Sequence, residues 1–131
     1  MRYMLDTNIC IYLINDRPAS VRKRLAAMKP GDAGVSSITV AELAYGVAKT
    51  RSARNRAALE GFLLPLEIAD FGLDAAMAYG DVRTGVEKKG TPIGPLDMEI
   101  AAHAIALDVI LVTNNQRELS RVAGLRCENW V

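Results

Sequence analysis

Histidine is nearly absent from this chain, since His103 is the only one among 131 residues. A ribonuclease that works with two histidines cannot be built here, and nothing in the sequence places a serine beside His103 for a Ser-His-Asp triad. His103 follows Glu99 by four residues. We therefore expect these two side chains to form an exposed helix pair, on a face different from that of Asp97.

Cysteine is also scarce, and the two present, Cys10 and Cys127, are too few to frame a disulfide scaffold. Neither has a Cys or His partner at the spacing of zinc ligands, so we expect two buried thiols. Phosphate-binding glycine loops are missing as well, because neither a P-loop nor a GxGxxG pattern follows any strand-like run. These absences leave hard-cation chemistry as the remaining option.

No apolar run approaches the roughly 18 to 20 residues that a membrane span needs, and the N-terminus lacks a secretory pattern. We expect a cytoplasmic protein with no membrane partner. Half of the residues are hydrophobic and 24% are charged, which is ordinary for a globular protein. The length and the lack of a linker predict one domain over residues 1–131.

Strand-like and helical runs alternate along the chain. Strands are predicted at residues 3–5, 33–36, 66–69 and 109–112, with an edge strand at 126–130. Helices are predicted at residues 7–15, 19–28, 37–49, 52–63 and 73–89, with another that holds Asp97 and ends near residue 107. This alternation predicts an α/β fold with a parallel sheet covered on both faces and a ligand site at the carboxyl ends of the strands.

Four acids fall at junctions between an apolar strand-like run and a helix: Asp6, Glu42, Asp97 and Glu118. Asp6 is the only charge in YMLDTNICIYLIN, and Glu42 is the only charge in ITVAELAYGVA. A carboxylate in such a run must be paired, protonated or bound to a cation. Brought together, the four acids would form a metal site for magnesium or manganese, which prefer oxygen ligands.

Each of these acids also has a purely structural interpretation. Asp6 suits the N-cap of the helix that follows it, and Thr39 with Glu42 fits a capping box. Asp97 follows Pro95 by two residues and suits the first turn of a helix. Helix capping does not explain why four separate junctions carry acids in surroundings that are otherwise poor in charge.

Four segments in this order, MLDTN, AELAYG, PIGPLDMEIAAHA and LVTNNQREL, resemble the PIN-domain ribonucleases of the VapC toxin family. The resemblance runs from about residue 3 to the C-terminus and implies a three-layer α/β/α sandwich around a mainly parallel sheet. It implies that Asp6, Glu42 and Asp97 are catalytic acids of a magnesium or manganese site, with Asp6 and Asp97 as metal ligands. Glu118 matches the fourth catalytic acid, as a direct ligand or as the holder of a bound water.

The resemblance also assigns supporting roles to neighbouring polar residues. Thr113 and Asn115 match the family's TxNxxD/E pattern, in which Asn115 would organise the site. Thr7 and Asn8 would orient Asp6 and Asp97 by hydrogen bonds, although Thr7 equally suits a helix cap.

The activity that the resemblance implies is a metal-dependent endoribonuclease toxin. It would cut structured RNA, in particular a tRNA anticodon stem-loop such as that of initiator tRNA, and so inhibit translation. A VapB-type antitoxin and a homodimer are the implied protein partners. The alternative is a catalytically silent PIN scaffold that binds RNA or protein.

The net charge of only +1 hides an uneven distribution. Residues 17–59 hold nine bases and two acids, which indicates either a solvated helix surface or a phosphate-binding rim. Lys49, Arg51 and Arg54 are the candidate RNA contacts. Tyr45 lies one helical turn from Glu42, and we expect it to pack in the core.

Overall fold

The computed structural model describes all 131 residues as five strands and seven helices. The strands are β1 (Tyr3–Leu5), β2 (Ala33–Ser36), β3 (Glu67–Ala69), β4 (Ile110–Val112) and β5 (Cys127–Glu128). The helices are α1 (Thr7–Ile14), α2 (Ala19–Ala26), α3 (Ser37–Thr50), α4 (Ala53–Leu63), α5 (Leu73–Lys88), α6 (Pro95–Leu107) and α7 (Gln116–Leu119). None of these helices is both long and apolar enough to cross a membrane.

The five strands form one sheet in the order β3-β2-β1-β4-β5, and every neighbouring pair is parallel. The strand order reverses at β1, with β2 and β3 on one side and β4 and β5 on the other. In open parallel sheets of this kind the ligand site lies beyond the carboxyl ends of the strands at the reversal. Asp6 follows β1 there, and Thr113 follows β4.

Apolar residues of the sheet alternate between two cores because successive side chains of a strand point to opposite faces. Met4 and Leu111 pack in one core with residues of α5 and α6 such as Val86. Leu5 and Val112 pack in the other core, which is formed with α1 to α4. The predicted three-layer α/β/α sandwich with a parallel sheet is thus confirmed.

The C-terminal edge of the sheet is short but well anchored. The edge strand predicted at residues 126–130 is reduced to the two residues of β5. Beyond it, Trp130 is 3% exposed and its ring centre lies 5.5 Å from that of Tyr3. The Arg24 guanidinium lies 5.2 Å over the Trp130 ring and also pairs with Glu128. These contacts attach the end of the chain to β1 and α2.

Two predictions for α3 are wrong. Ser36, not Thr39, caps the helix: the Ser36 Oγ accepts a hydrogen bond from the backbone N of Ile38 at 3.0 Å. Tyr45 is not in the core, since it is 66% exposed. It lies two residues after the buried Leu43, and residues two apart on a helix face in nearly opposite directions.

Candidate active site

Asp6 combines the structural and the functional interpretations of its sequence position. Its Oδ1 accepts a hydrogen bond from the backbone N of Ile9 at 2.9 Å, so it does cap α1, and it is only 7% exposed. Burial raises the pKa of Asp6, and the negative charges of Asp97 and Glu42 raise it further. Hydrogen bonds from the Thr113 side chain and the Ile9 backbone act in the opposite direction.

Glu42 lies on α3 and is oriented from α1. The Thr7 Oγ1 donates a hydrogen bond to the Glu42 Oε1 at 2.6 Å. Thr7 therefore contacts Glu42, and it forms no hydrogen bond to Asp6 or Asp97 of the kind that we expected. Asn8 is exposed, and its side chain forms no hydrogen bond in the structure.

Asp97 lies in the first turn of α6 and is half-buried. Burial is the largest cause of its raised pKa, followed by the negative charges of Glu42 and Glu118. Its carboxylate has no side-chain or backbone hydrogen-bond donor. Asp97 is therefore held near like charges without the hydrogen bonds that support Asp6.

The segment after β4 presents Glu118. The Thr113 Oγ1 accepts a hydrogen bond from the backbone N of Asn115 at 2.9 Å. The Asn115 Nδ2 donates to the Glu118 Oε2 at 3.1 Å, across the start of α7. The TxNxxE pattern thus forms a local turn in which Asn115 orients Glu118.

The four acids form one electrostatic cluster but not a closed coordination shell. The charges of Asp97 and Glu42 raise the pKa of Asp6, and the charges of Glu42 and Glu118 raise the pKa of Asp97. No three carboxylate, thiol or imidazole groups meet closely enough to hold a metal ion. Like charges repel, and two of the carboxylates are instead held by neutral donors on Thr7 and Asn115.

An apolar groove of about 320 Å³ lies beside Thr7 and Glu42, between α1, α3 and α4. Its apolar lining includes Ile11, Leu43 and Leu59. The groove is open to solvent at Ile11, which is 40% exposed. It offers an extended apolar partner a position directly next to one of the four acids.

The candidate RNA contacts are all on the surface. Lys49, Arg51 and Arg54 are exposed, and none of them forms an ion pair. The Lys49 Nζ lies 4.8 Å from the centre of the Tyr45 ring. The exposed ring of Tyr45, one helical turn beyond Glu42, and the unpaired ammonium group of Lys49 thus lie together.

Neither thiol serves as a nucleophile in this structure. Cys10 is buried as expected, whereas Cys127 is only partly buried, and both are free. Burial raises the pKa of each thiol, so both remain protonated at neutral pH.

The family model for the PIN domain matches residues 3–125 of the chain. The chain belongs to the PIN-domain family. Among curated relatives of this PIN-domain protein, the tRNA(fMet)-specific endonuclease VapC of Shigella flexneri is 44% identical over 131 residues, covering 99% of the chain and 98% of that protein. Ribonuclease VapC2 of Rickettsia felis is 47% identical over 132 residues, covering 99% and 98%. The resemblance to the VapC family is thereby confirmed.

Solved structures agree with the assignment. The PIN-domain protein superposes on the VapBC2 complex of Rickettsia felis, which is bound to a promoter DNA fragment, with a TM-score of 0.94 and 46% identity over all of both chains. It superposes on DNA-bound VapBC of Salmonella typhimurium with a TM-score of 0.92 and 42% identity, covering 100% of this chain and 99% of that one.

Two features of the site were missed from the sequence. The bond between Thr7 and Glu42 joins residues 35 apart, and no local pattern indicates it. The exposure of Tyr45 had a usable signal, because helical spacing from the apolar Leu43 and Val47 places it on the outer face of α3.

Proposed function

We propose that this PIN-domain protein is a metal-dependent endoribonuclease and the toxin of a VapBC pair. The observation that carries the proposal is that Asp6, Glu42, Asp97 and Glu118, from four segments distant in sequence, lie close enough for their charges to interact, with Asp6 directly after β1 where the strand order reverses. A fold has little structural reason to place four acids within reach of one another's charge and to raise the pKa of two of them, Asp6 and Asp97. The names of the curated relatives support the same activity.

The chemistry of the donor set fits magnesium or manganese, since it consists of carboxylate oxygens with Thr and Asn groups around them. Asp6 and Asp97 would hold the ion, and Glu42 and Glu118 complete the set of catalytic acids. When bound, such an ion supplies a water of lowered pKa and stabilises charge that develops on phosphate oxygens.

The chain's own polar residues orient these acids. Thr7 holds Glu42 by its hydroxyl, and Asn115 holds Glu118 by its amide. Thr113 lowers the pKa of Asp6 and so favours its charged form. Asn8 is exposed next to this group and is free to contact substrate.

The proposed substrate is RNA, in particular a tRNA anticodon stem-loop such as that of initiator tRNA, whose cleavage would inhibit translation. The activity for which the Shigella relative is named supports this choice. Unpaired loop bases are the RNA groups that a protein reads by stacking and edge contacts. Tyr45 offers an exposed ring for one such base, and Lys49, Arg51 and Arg54 offer cations for the backbone.

A VapB-type antitoxin is the proposed protein partner, and the protein is proposed to act in the cytoplasm as a homodimer. The VapBC complexes among the similar structures support the antitoxin. The groove between α1, α3 and α4 suits an apolar antitoxin segment, which would lie against Glu42 and close access to the acids.

The test is cleavage of total tRNA by the antitoxin-free protein with manganese, with magnesium and with chelator, followed by mapping of fragment ends. Asp97→Asn keeps the side-chain shape and removes one acid of the cluster. Asp81→Asn makes the same change on the exposed surface of α5 and serves as the matched control.

Metal-dependent cuts at one loop, retained in Asp81→Asn and lost in Asp97→Asn, are the expected result. Intact tRNA under every condition, from folded protein that binds manganese, would contradict a tRNA nuclease. Binding of the tRNA without cleavage would favour the catalytically silent scaffold instead.

A further inference from the structure

His103 is not the exposed partner of Glu99 that its sequence position suggested. It is 1% exposed and reaches from α6 to the turn between β2 and α3, where its Nδ1 lies 2.8 Å from the Oγ of Ser36. Its ring stands edge-on to Phe71, at 5.4 Å between ring centres and 78° between planes. One side chain thus joins α6, the β2–α3 turn and the connection before α5.

The hydrogen-bond partners of His103 fit a neutral imidazole. The Ser36 Oγ already accepts a hydrogen bond from the backbone N of Ile38, so its own proton is available for the His103 Nδ1. A backbone hydrogen bond with Asp70 raises the pKa of His103, but this effect is smaller than the opposite effect of burial. Burial lowers the pKa of His103, which favours the same neutral form.

The hydrogen bond connects the two helices that carry Glu42 and Asp97. Ser36 caps α3 six residues before Glu42, and His103 lies on α6 six residues after Asp97. A shift of either helix at this contact is transmitted along rigid helical backbone to the carboxylate that it carries. His103 itself forms no hydrogen bond to any of the four acids.

We propose that His103 is a positioning residue for the carboxylate cluster, which sets the placement of Glu42 relative to Asp97 through its hydrogen bond to Ser36. The inference rests on the proposed function, because it assigns His103 a purpose within that metal site. It adds the only histidine of the chain to a site whose other members are acids and small polar residues.

Two variants remove the hydrogen bond from opposite ends. His103→Phe keeps a ring that can stand edge-on to Phe71, whereas Ser36→Ala removes the hydroxyl and with it the cap hydrogen bond from Ile38. We expect about tenfold weaker manganese binding by calorimetry and a similar fall in kcat, with KM for RNA unchanged, as is typical when a group that orients a metal ligand is lost. The double variant should lose little more than Ser36→Ala alone, because Ser36→Ala already deletes the contact with His103.

His103→Asn provides a conservative rescue, since its Oδ1 can accept from Ser36 close to the position of Nδ1. We expect it to recover part of the manganese affinity. Val86→Ala is the matched control for lost stability: Val86 is 1% exposed in the core beneath α5, and contacts none of the acids. It should lower Tm and leave manganese binding unchanged.

Two results would overturn the inference. The first is unchanged manganese affinity and kcat in Ser36→Ala and His103→Phe, with only Tm reduced as in Val86→Ala; if His103→Phe does not fold, Ser36→Ala decides alone. The second is wild-type protein that neither binds manganese nor cleaves RNA, which would also refute the proposed function. Active wild type with unaffected variants refutes the positioning role only.

Discussion

Burial and nearby negative charges raise the pKa of both Asp6 and Asp97, but only Asp6 receives hydrogen bonds that act in the opposite direction. Asp6 is deeply buried but receives hydrogen bonds from Ile9 and Thr113, which partly offset the cost of its charge. Asp97 is half-buried, receives none, and faces the charges of Glu42 and Glu118. The charge of Asp97 therefore opposes folding of the metal-free protein without a hydrogen bond to offset it.

Asp97→Asn should stabilise the metal-free protein at neutral pH, because it removes a negative charge from the cluster. The expected gain is a rise in Tm of roughly 1 to 3 °C in chelator. The pKa of Asp97 in the folded state is raised above its ordinary value of 3.8, so the folded state binds its proton more tightly than the unfolded state.

The sign of the pH dependence follows from this difference in proton binding. In the metal-free wild type, Asp97 loses its proton as pH rises from 3.8, its ordinary pKa, through its raised pKa in the folded state, and the folded state loses stability over this range. Asp97→Asn has no proton to lose at this position, so it does not lose stability there. The gap in Tm between variant and wild type should open as pH rises from about 4 to 7, in scanning calorimetry. A variant less stable than wild type at pH 7 would contradict the prediction.

At the scale of elements, the sequence predicts those strands and helices whose buried residues form a continuous or periodic apolar pattern. β1, β2 and β4 are apolar runs between polar junctions, and their positions agree with the structure within a residue or two. Helix α7 was missed because its four residues are too few to show a helical period. The start predicted for α3 agrees with the structure, whereas the alternative capping-box interpretation of Thr39 and Glu42 was wrong because Thr39 already lies in the first turn of the helix.

The failure at His103 has a specific physical cause. The four-residue spacing shows that Glu99 and His103 can share one face of a helix. It does not show whether that face is exposed to solvent or buried. α6 has buried residues on nearly every side, at Met98 and from Ile100 to Ala104, so its sequence offers little contrast between faces. Asp6, Glu42 and Asp97 were recoverable because they lie within apolar runs, and Glu118 because it matches the family's TxNxxD/E pattern. Contacts between distant residues such as Ser36 and His103 leave no local pattern.

The two-residue strand β5 depends on the buried ring of Trp130, two residues beyond its end. Trp130→Ala should reduce the free energy of unfolding by about 3 to 5 kcal/mol, because a large buried ring is removed from its packing on Tyr3. Arg24→Ala should cost about 1 kcal/mol, since its ion pair with Glu128 is exposed. Urea denaturation of both variants measures this difference, and equal costs would contradict the anchoring role of the buried ring.

At the scale of the whole molecule, the net charge is close to zero, and some of the exposed cations are paired with acids whereas others are not. Arg22 and Arg24 are paired with acids, which lowers their capacity to bind phosphate. Lys49, Arg51 and Arg54 have no such partner and follow Glu42 on α3 or lie at the start of α4. An electrostatic field that attracts RNA to the acids must therefore come largely from cations that have no acidic partner.

Replacing Lys49, Arg51 and Arg54 together by alanine should raise KM for RNA about tenfold at low salt and leave kcat unchanged. Each lost phosphate contact reduces the slope of log(kcat/KM) against log[salt] by about 0.7 to 0.9, so the triple change should reduce it by about 2. Hydrolysis of a small phosphodiester should not change, because such a substrate does not extend beyond the acids. Initial rates between low and moderate salt give both quantities.

The matched control removes the same charge elsewhere. Arg17, Lys23 and Lys29 are also exposed and free of ion pairs, but they lie before β2 and not on α3 or α4. If RNA follows the surface of α3, replacing these three by alanine should have little effect on KM or on the salt slope. Equal effects of the two triple variants would mean that net charge alone attracts RNA, because the two proteins differ only in where the positive charge was lost.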